Sequence, residues 1–375
     1  MPPARVYLAP GMFGFARLAA YDYFEHLSDG LAKRFRAKGR RPEIRVVEVH
    51  PTSSIRRRAA KLAQMLAHTA GTDDGPIHIL GHSTGGLDAR LVASPSSQLS
   101  HQGSSQRGWL GRLKSITTVN TPHYGTPLAS FFATAKGQQL LYAMSAVTVT
   151  ALKLGAPPLA TASALVAALG RTGDSVGFEV ALVDKLTDTV TRALDEASSR
   201  GLHDWLQQVR GDQGGVVQLM PEAMDLFHAG VGDRPTVRYH CVASYAPPTG
   251  VLDWLHDIRS PWAVVSAALF HLMYRVTAEQ DERYPCAPPG GIDALLRDML
   301  GEIPDPGASD GVVPLSSQIW GTPLWIGKGD HLDIVGHFPG PGGHNDWLAS
   351  GARFDIVRFE KVMDRIFDGM IAAEG

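Results

Sequence analysis

Ser83 is the residue whose neighbours imply the most chemistry. It stands in Gly81-His82-Ser83-Thr84-Gly85, a G-x-S-x-G pattern. The apolar run 77–80 (IHIL) precedes it and reads as a buried strand, and 86–92 reads as a helix. Strand, sharp turn, serine and helix together make a nucleophile elbow. The glycines have a physical task in such a turn. The helix packs close to the strand, so side chains two positions either side of the serine would clash. The helix N-terminus offers free N–H groups and a positive dipole to a developing oxyanion. The same pentapeptide also arises by chance in Gly-rich surface loops. The rest of the chain must therefore supply an acid and a histidine, in that order.

An elbow serine also needs an oxyanion hole, with one donor from the next residue, here Thr84, and one from the loop after an early strand. Residues 9–15 (APGMFGF) follow the first apolar run, and Gly11 would let the chain turn so that the Met12 N–H points at the substrate oxygen. For the acid, 309–314 (SDGVVP) places Asp310 in a turn before an apolar run, a pattern that a plain Asp-Gly turn shares. For the histidine, 330–333 (DHLD) comes just after a strand ending near 327. His331 would take the Ser83 proton while Asp310 holds its ring and stabilises the imidazolium. With 15 histidines in the chain, His337 is the serious rival, and His344, in a Gly-rich loop, a weaker one. His82 reads as packing against or orienting the elbow. The chemistry of this set is attack on an ester carbonyl and hydrolysis of the acyl-enzyme by water. It implies no redox cofactor.

These residues need a scaffold. Apolar or β-branched runs at 5–8, 44–49, 77–80 and 115–119 alternate with helical patterns, clearest over 54–70, and further strands are expected at 237–242 and 323–326. Strands alternating with helices predict a parallel sheet covered on both faces. The period of Ile356, Phe359, Val362, Ile366 and Met370 predicts a helix over 354–372 packed on that sheet. From 128 to 216 the pattern becomes helical and rich in Ala, Leu and Thr, with no charge between 154 and 170, yet it is too broken by Pro157 and Pro158 to read as a membrane span. It is either a buried helical layer or, as we favour, a cap with an apolar underside over the site. The division is thus a core of 1–127 and 217–375 with a cap inserted at 128–216. The Ser/Gln-rich stretch 94–108 reads as a mobile surface loop.

The 375 residues carry a formal net charge of -2, with 44% hydrophobic and 19% charged residues, which describes a globular protein with a large core and argues against a nucleic-acid partner. Arg56-Arg57-Arg58 reads as a solvated helix face. The first residues lack a charged segment followed by an apolar one, so no signal peptide is read and a cytoplasmic location is expected. Cys241 and Cys286 are then expected to be reduced, although a bridge between them stays open.

Five segments together resemble the bacterial true lipases of Pseudomonas and Burkholderia, within the α/β-hydrolase superfamily. They are 9–15, with Pro10 where that family usually has His; 81–90 (GHSTGGLDAR), with Thr84 where it often has His or Gln; 119–127 (VNTPHYGTP); 218–227 (QLMPEAMDLF); and 309–335, which joins S-D-G-V-V-P to H-L-D. The resemblance implies an α/β-hydrolase fold, with a mostly parallel central sheet, helices on both faces and an inserted helical cap. It implies a lipase or esterase with Ser83 as nucleophile, Asp310 as acid, His331 as base, and Met12 and Thr84 as oxyanion donors. It favours His331 over His337 because Leu332-Asp333 follows. In that family the aspartate after the histidine helps to bind a structural calcium, so Asp333, with Asp293 as the guessed partner, either holds such an ion or hydrogen-bonds locally without metal. That family is secreted, and the absence of a signal peptide is a departure. The implied substrate is a small-molecule or lipid ester, with transient lipid-interface contact through the cap. An acyltransferase on the same triad and a non-catalytic lipid-binding module are the alternatives.

Overall fold

Six strands form one parallel sheet in the order β2-β1-β3-β4-β5-β6: β1 (Ala4–Ala9), β2 (Pro42–Val46), β3 (Ile77–His82), β4 (Leu113–Val119), β5 (Arg238–Tyr245) and β6 (Thr322–Lys328). The computed structural model describes residues 2–12, 23–50, 52–97, 99, 104–134, 137, 207, 211–247, 261–340, 346 and 348–375. Each expected strand is present, shifted by a few residues at its ends. The central strands β1 and β3 are buried along their whole length, which is why they read as mainly apolar runs, with Arg5 and His78 buried among them.

Side chains of β1 alternate between two cores, as the strand period of two requires. Val6 and Leu8 point to one face, where α1 (Glu25–Ala37) and α9 (Ile356–Ala372) bury Leu27, Leu31, Phe35, Phe359, Val362, Ile366 and Met370. Tyr7 and Ala9 point to the other, where α2 (Ile55–Thr69) and α3 (Thr84–Ala93) bury Leu62, Leu66, Ala89 and Val92. The helix starts follow from capping side chains: Ser54 accepts from the Arg57 N–H, and Asp355 accepts from the Arg358 N–H. Five further helices complete the set among the described residues: α4 (Pro127–Ala133), α5 (Gly214–Gln218), α6 (Pro221–Gly230), α7 (Pro261–Ala278) and α8 (Asp293–Leu300). Sequence periodicity did not announce α1, α7 or α8.

The expected cap, 128–216, lies almost wholly outside the described residues. Its two flanks are described, and α4 and α5 pack side by side, with Leu128, Phe132 and Val216 in one apolar cluster with Phe270 and Met273 of α7. The stretch 94–108 differs from the loop expected of it. A 3-10 helix runs over Ser104–Arg112, and Ser94, Ser97, Leu99 and Trp109 are buried, because the apolar Leu99 and Trp109 anchor the polar segment to the core around α2 and α3. Among the described residues no helix is long and apolar enough to cross a membrane.

Phe35 is fully buried and meets the Phe367 ring edge-on at 5.0 Å. Phe35→Ala is expected to lower stability by about 3–5 kcal/mol, measured as the shift of the urea midpoint at constant slope.

Candidate active site

Ser83 follows directly on β3 and caps α3. Its backbone has φ 54° and ψ -129°, a conformation that costs a non-glycine residue about 1–3 kcal/mol and persists only where its surroundings impose it. Three contacts impose it here. The Ser83 N–H continues the β3–β4 ladder by donating to Val119 at 2.8 Å. A side chain at Gly81 would collide with the backbone of Gly85 and Gly86, and one at Gly86 with Thr121. Only glycines allow the helix to start this close to the strand it leaves.

The loop after β1 lies against the serine. A methyl group added to Gly11 would stand 2.6 Å from Ser83 Cβ and 3.2 Å from its Oγ, and one added to Gly85 would enter the backbone of Ala9. Among the described residues, neither the Met12 nor the Thr84 N–H donates a hydrogen bond. Two free donors beside a serine on a helix N-terminus can stabilise an oxyanion. The loop has a brace that the sequence concealed. Arg58, read there as part of a solvated Arg56-Arg57-Arg58 face, is fully buried while Arg57 is exposed. It donates through Nη2 to the Pro10 carbonyl, through Nη1 to His50 at 3.2 Å, and through Nε to Asp88 Oδ2 at 2.9 Å. Burial pushes the Asp88 carboxyl up to about 6, with the Arg58 charge pulling it the other way. Residue 58 turns inward because helical spacing puts it on the face of Ile55, Leu62 and Leu66.

Asp310 and His331 meet. His331 Nδ1 donates to Asp310 Oδ2 at 2.7 Å, while Asp310 Oδ1 accepts the N–H groups of Val312 at 2.9 Å and Val313 at 2.7 Å. The His331 backbone N–H also donates to the Asp310 carbonyl at 3.0 Å. A carboxylate holding three donors is fixed in place, and its bond to Nδ1 leaves Nε2 of the neutral ring as the basic nitrogen. His337 is placed elsewhere: its Nε2 donates to the Tyr23 carbonyl at 3.1 Å, and its ring packs on Tyr23. His344 lies outside the described residues.

His82, next to the serine, reaches across to the histidine. Its ring centroid is 4.7 Å from that of His331, its Nε2 donates to the His331 carbonyl at 2.8 Å, and the Tyr23 hydroxyl donates to its Nδ1 at 2.6 Å. Burial, and then the neighbouring His331, hold its pKa well below the ordinary value, so it is neutral. Asn120 at the end of β4 donates to Ser244 Oγ at 2.9 Å and lies 3.4 Å from the Asp330 and His331 carbonyls. Ser244 is held in turn by Gln318, whose amide accepts the Ser244 N–H and donates to the Ser244 and Val313 carbonyls. Tyr23, Ser244 and Gln318 escaped the sequence reading, since polar residues scattered over the chain carry no spacing signal, and Asn120 was met only as part of the 119–127 segment, with no role given.

Asp333 is buried, and its Oδ2 accepts the Asp330 N–H at 2.8 Å. Asp330 and Asp346 are its charged neighbours; burial first, and then their mutual repulsion, raise Asp330 and Asp333 well above the usual carboxylate range. Asp293, the guessed partner, is instead exposed in the first turn of α8 and is not among these neighbours. Asp330 Oδ2 is buried and accepts no well-formed hydrogen bond among the described residues, although the Ser350 hydroxyl stabilises its carboxylate. Among the described residues, no three His, Cys, Asp or Glu side chains converge as a metal site. Cys241 and Cys286 are buried and unbonded.

No protein-family model matches the chain. A curated triacylglycerol lipase of Vibrio cholerae is 30% identical over 125 residues, which are 33% of this chain and 34% of that one. The chain thus spans about a third of the length of that relative. Among solved structures, EstA from Clostridium botulinum superposes with a TM-score of 0.52 at 18% identity, covering 96% of this chain and 88% of its own. Lipase 1 from Pelosinus fermentans gives 0.52 at 18%, covering 94% and 98%, and the Staphylococcus hyicus lipase gives 0.53 at 15%, covering 99% and 96%. Together with the parallel sheet, these likenesses show that the chain has the α/β-hydrolase fold expected of it.

Asp88→Ala would leave the Arg58 guanidinium buried without its partner. It is expected to cost about 3–5 kcal/mol in chemical denaturation; an unchanged midpoint would remove the brace.

Proposed function

We propose that the protein is a serine hydrolase of carboxylic esters, acting on acyl or lipid esters as the true lipases of Pseudomonas and Burkholderia do. The observation that carries this is the Asp310–His331 pair, held against the residue adjoining the strained Ser83. Ser83 Oγ attacks the ester carbonyl as His331 Nε2 takes its proton, and Asp310 stabilises the imidazolium. The Met12 and Thr84 N–H groups receive the oxyanion. His331 then protonates the leaving alcohol, and a water that it activates cleaves the acyl-enzyme.

The surroundings favour an apolar acyl group. Met12, Val312 and Leu332, each at or beside a residue of this mechanism, pack against the apolar cluster of Leu128, Phe132, Leu269 and Phe270. The segment 128–216 would cover this side as a cap and touch lipid interfaces. The curated relative and the Pelosinus fermentans and Staphylococcus hyicus structures carry the name lipase, which agrees with this reading.

Asp333 and Asp330 would help to hold a calcium ion, with Asp346 near them. The buried carboxylates of Asp330 and Asp333, with their all-oxygen donor set, suit that hard cation, and backbone carbonyls and water would complete its shell. The ion would neutralise carboxylates immediately flanking His331 and so steady its loop.

Hydrolysis of p-nitrophenyl esters across acyl lengths is expected to fall by orders of magnitude in Ser83→Ala and in His331→Ala but not in His337→Ala. Activity that survives Ser83→Ala would end the hydrolase reading, and loss only in His337→Ala would move the base. Dialysis against a calcium chelator should lower the melting temperature, with recovery on adding calcium; an unmoved melting curve would argue against the ion.

A further inference from the structure

His331 has a mechanical problem that its ring contacts do not solve. It follows β6, and β6 lies three strands from β3, which carries Ser83. At about 4.8 Å per strand the two are separated by roughly 14 Å of sheet. The loop after β6 must run back over the carboxyl ends of β5 and β4 to bring the imidazole to the serine. Asp310 fixes the ring against its own loop, and that loop is anchored at the end of β5 by the Ala246 N–H on the Ser309 carbonyl at 2.8 Å. Neither contact ties His331 to β3.

We propose that His82, supported by Asn120, is a positioning residue that sets the distance between base and nucleophile by holding the His331 carbonyl. This rests on the hydrolase reading above. His82 is covalently joined to Ser83, so its bond of 2.8 Å to the His331 carbonyl is the shortest link between the two groups that does not pass through the sheet. A carbonyl only accepts, so His82 Nε2 carries the proton and Nδ1 carries the lone pair that receives the Tyr23 hydroxyl at 2.6 Å. The network therefore selects one tautomer. Its neutrality matters as well, because a charged ring 4.7 Å away would oppose the imidazolium that forms on His331.

Asn120 makes the second tie. Its φ is 48°, a left-handed conformation in which glycine is the default and asparagine the tolerated exception. The amide gained by having asparagine there goes to Ser244 Oγ and straddles the two carbonyls of Asp330 and His331, at 3.4 Å each. At those distances Asn120 is the weaker contributor, and His82 is the stronger one.

The backbone makes one test variant unusually clean. Asn120→Gly keeps the left-handed geometry and deletes only the amide. His82→Leu deletes the stronger donor, and His82→Gln can restore an N–H at the same reach. Steady-state kinetics on a p-nitrophenyl ester, with melting curves of every variant, decide the matter. The expected result is a fall in kcat between about tenfold and a hundredfold in His82→Leu, a smaller fall in Asn120→Gly, and KM changed by less than about threefold. His82→Gln should recover most of the loss. Unchanged kcat in both Asn120→Gly and His82→Leu would overturn the proposal, as would a His82→Gln that folds like wild type yet stays as slow as His82→Leu. If His82→Leu does not fold, His82→Gln and Asn120→Gly decide alone. A wild type without Ser83-dependent turnover overturns the hydrolase reading and this proposal with it. An active wild type beside unaffected variants overturns this proposal only.

Discussion

The backbone of Ser83 is the constraint around which the rest of the site is arranged. Holding a serine at φ 54° brings the start of α3 down onto β3 and the loop after β1 up against Ser83. Each approach removes room for a β-carbon, and glycine stands at 11, 81, 85 and 86 as a result. The strain is met by sheet pairing through the serine itself and by burial of the helix on nearly every side. Tight packing is what holds the turn around the buried Ser83 without letting it relax.

Polar groups then fix what the sheet leaves loose. Arg58 reaches the oxyanion loop from α2, and Asp88 completes the pair from α3, so two helices on one face hold the loop above it. Taking both charges out of water is costly, and the pair is better understood as specifying one loop position than as adding stability. On the far side, Gln318, Ser244 and Asn120 form a chain of amide and hydroxyl contacts from the acid loop to the histidine loop.

The legibility of the sequence followed physical periodicity. Strands buried on both faces announce themselves as apolar runs, and α2 and α9 do so through their helical stripes, so the fold could be read directly, as could the placing of Ser83 between a strand and a helix. Short motifs with fixed local geometry, G-x-S-x-G and S-D-G, were also legible. Long-range polar contacts were not. Tyr23 meets His82 across 59 residues of chain, and His82 meets His331 across 249. Arg58 was misread because three adjacent arginines look alike in sequence, while a helix turns each by 100° and buries only one. The guess of Asp293 beside Asp333 failed for the same reason: nothing in the sequence spacing distinguishes an exposed helix start from a buried carboxylate.

The packing of α9 has a consequence for how the chain is made. One entire face of the sheet is closed by α1 from near the start and by α9 from residues 356–372, and Glu374 reaches back to Arg40 at 2.7 Å and to His78 at 3.2 Å. During synthesis, β1, β3 and β4 emerge long before their covering helix. The part of that face not covered by α1 stays open until residues 356–372 have been made. Closure of this face therefore waits for residues 356–372, and until they emerge the nascent chain carries a partly uncovered sheet face that a chaperone or a neighbouring chain can occupy first.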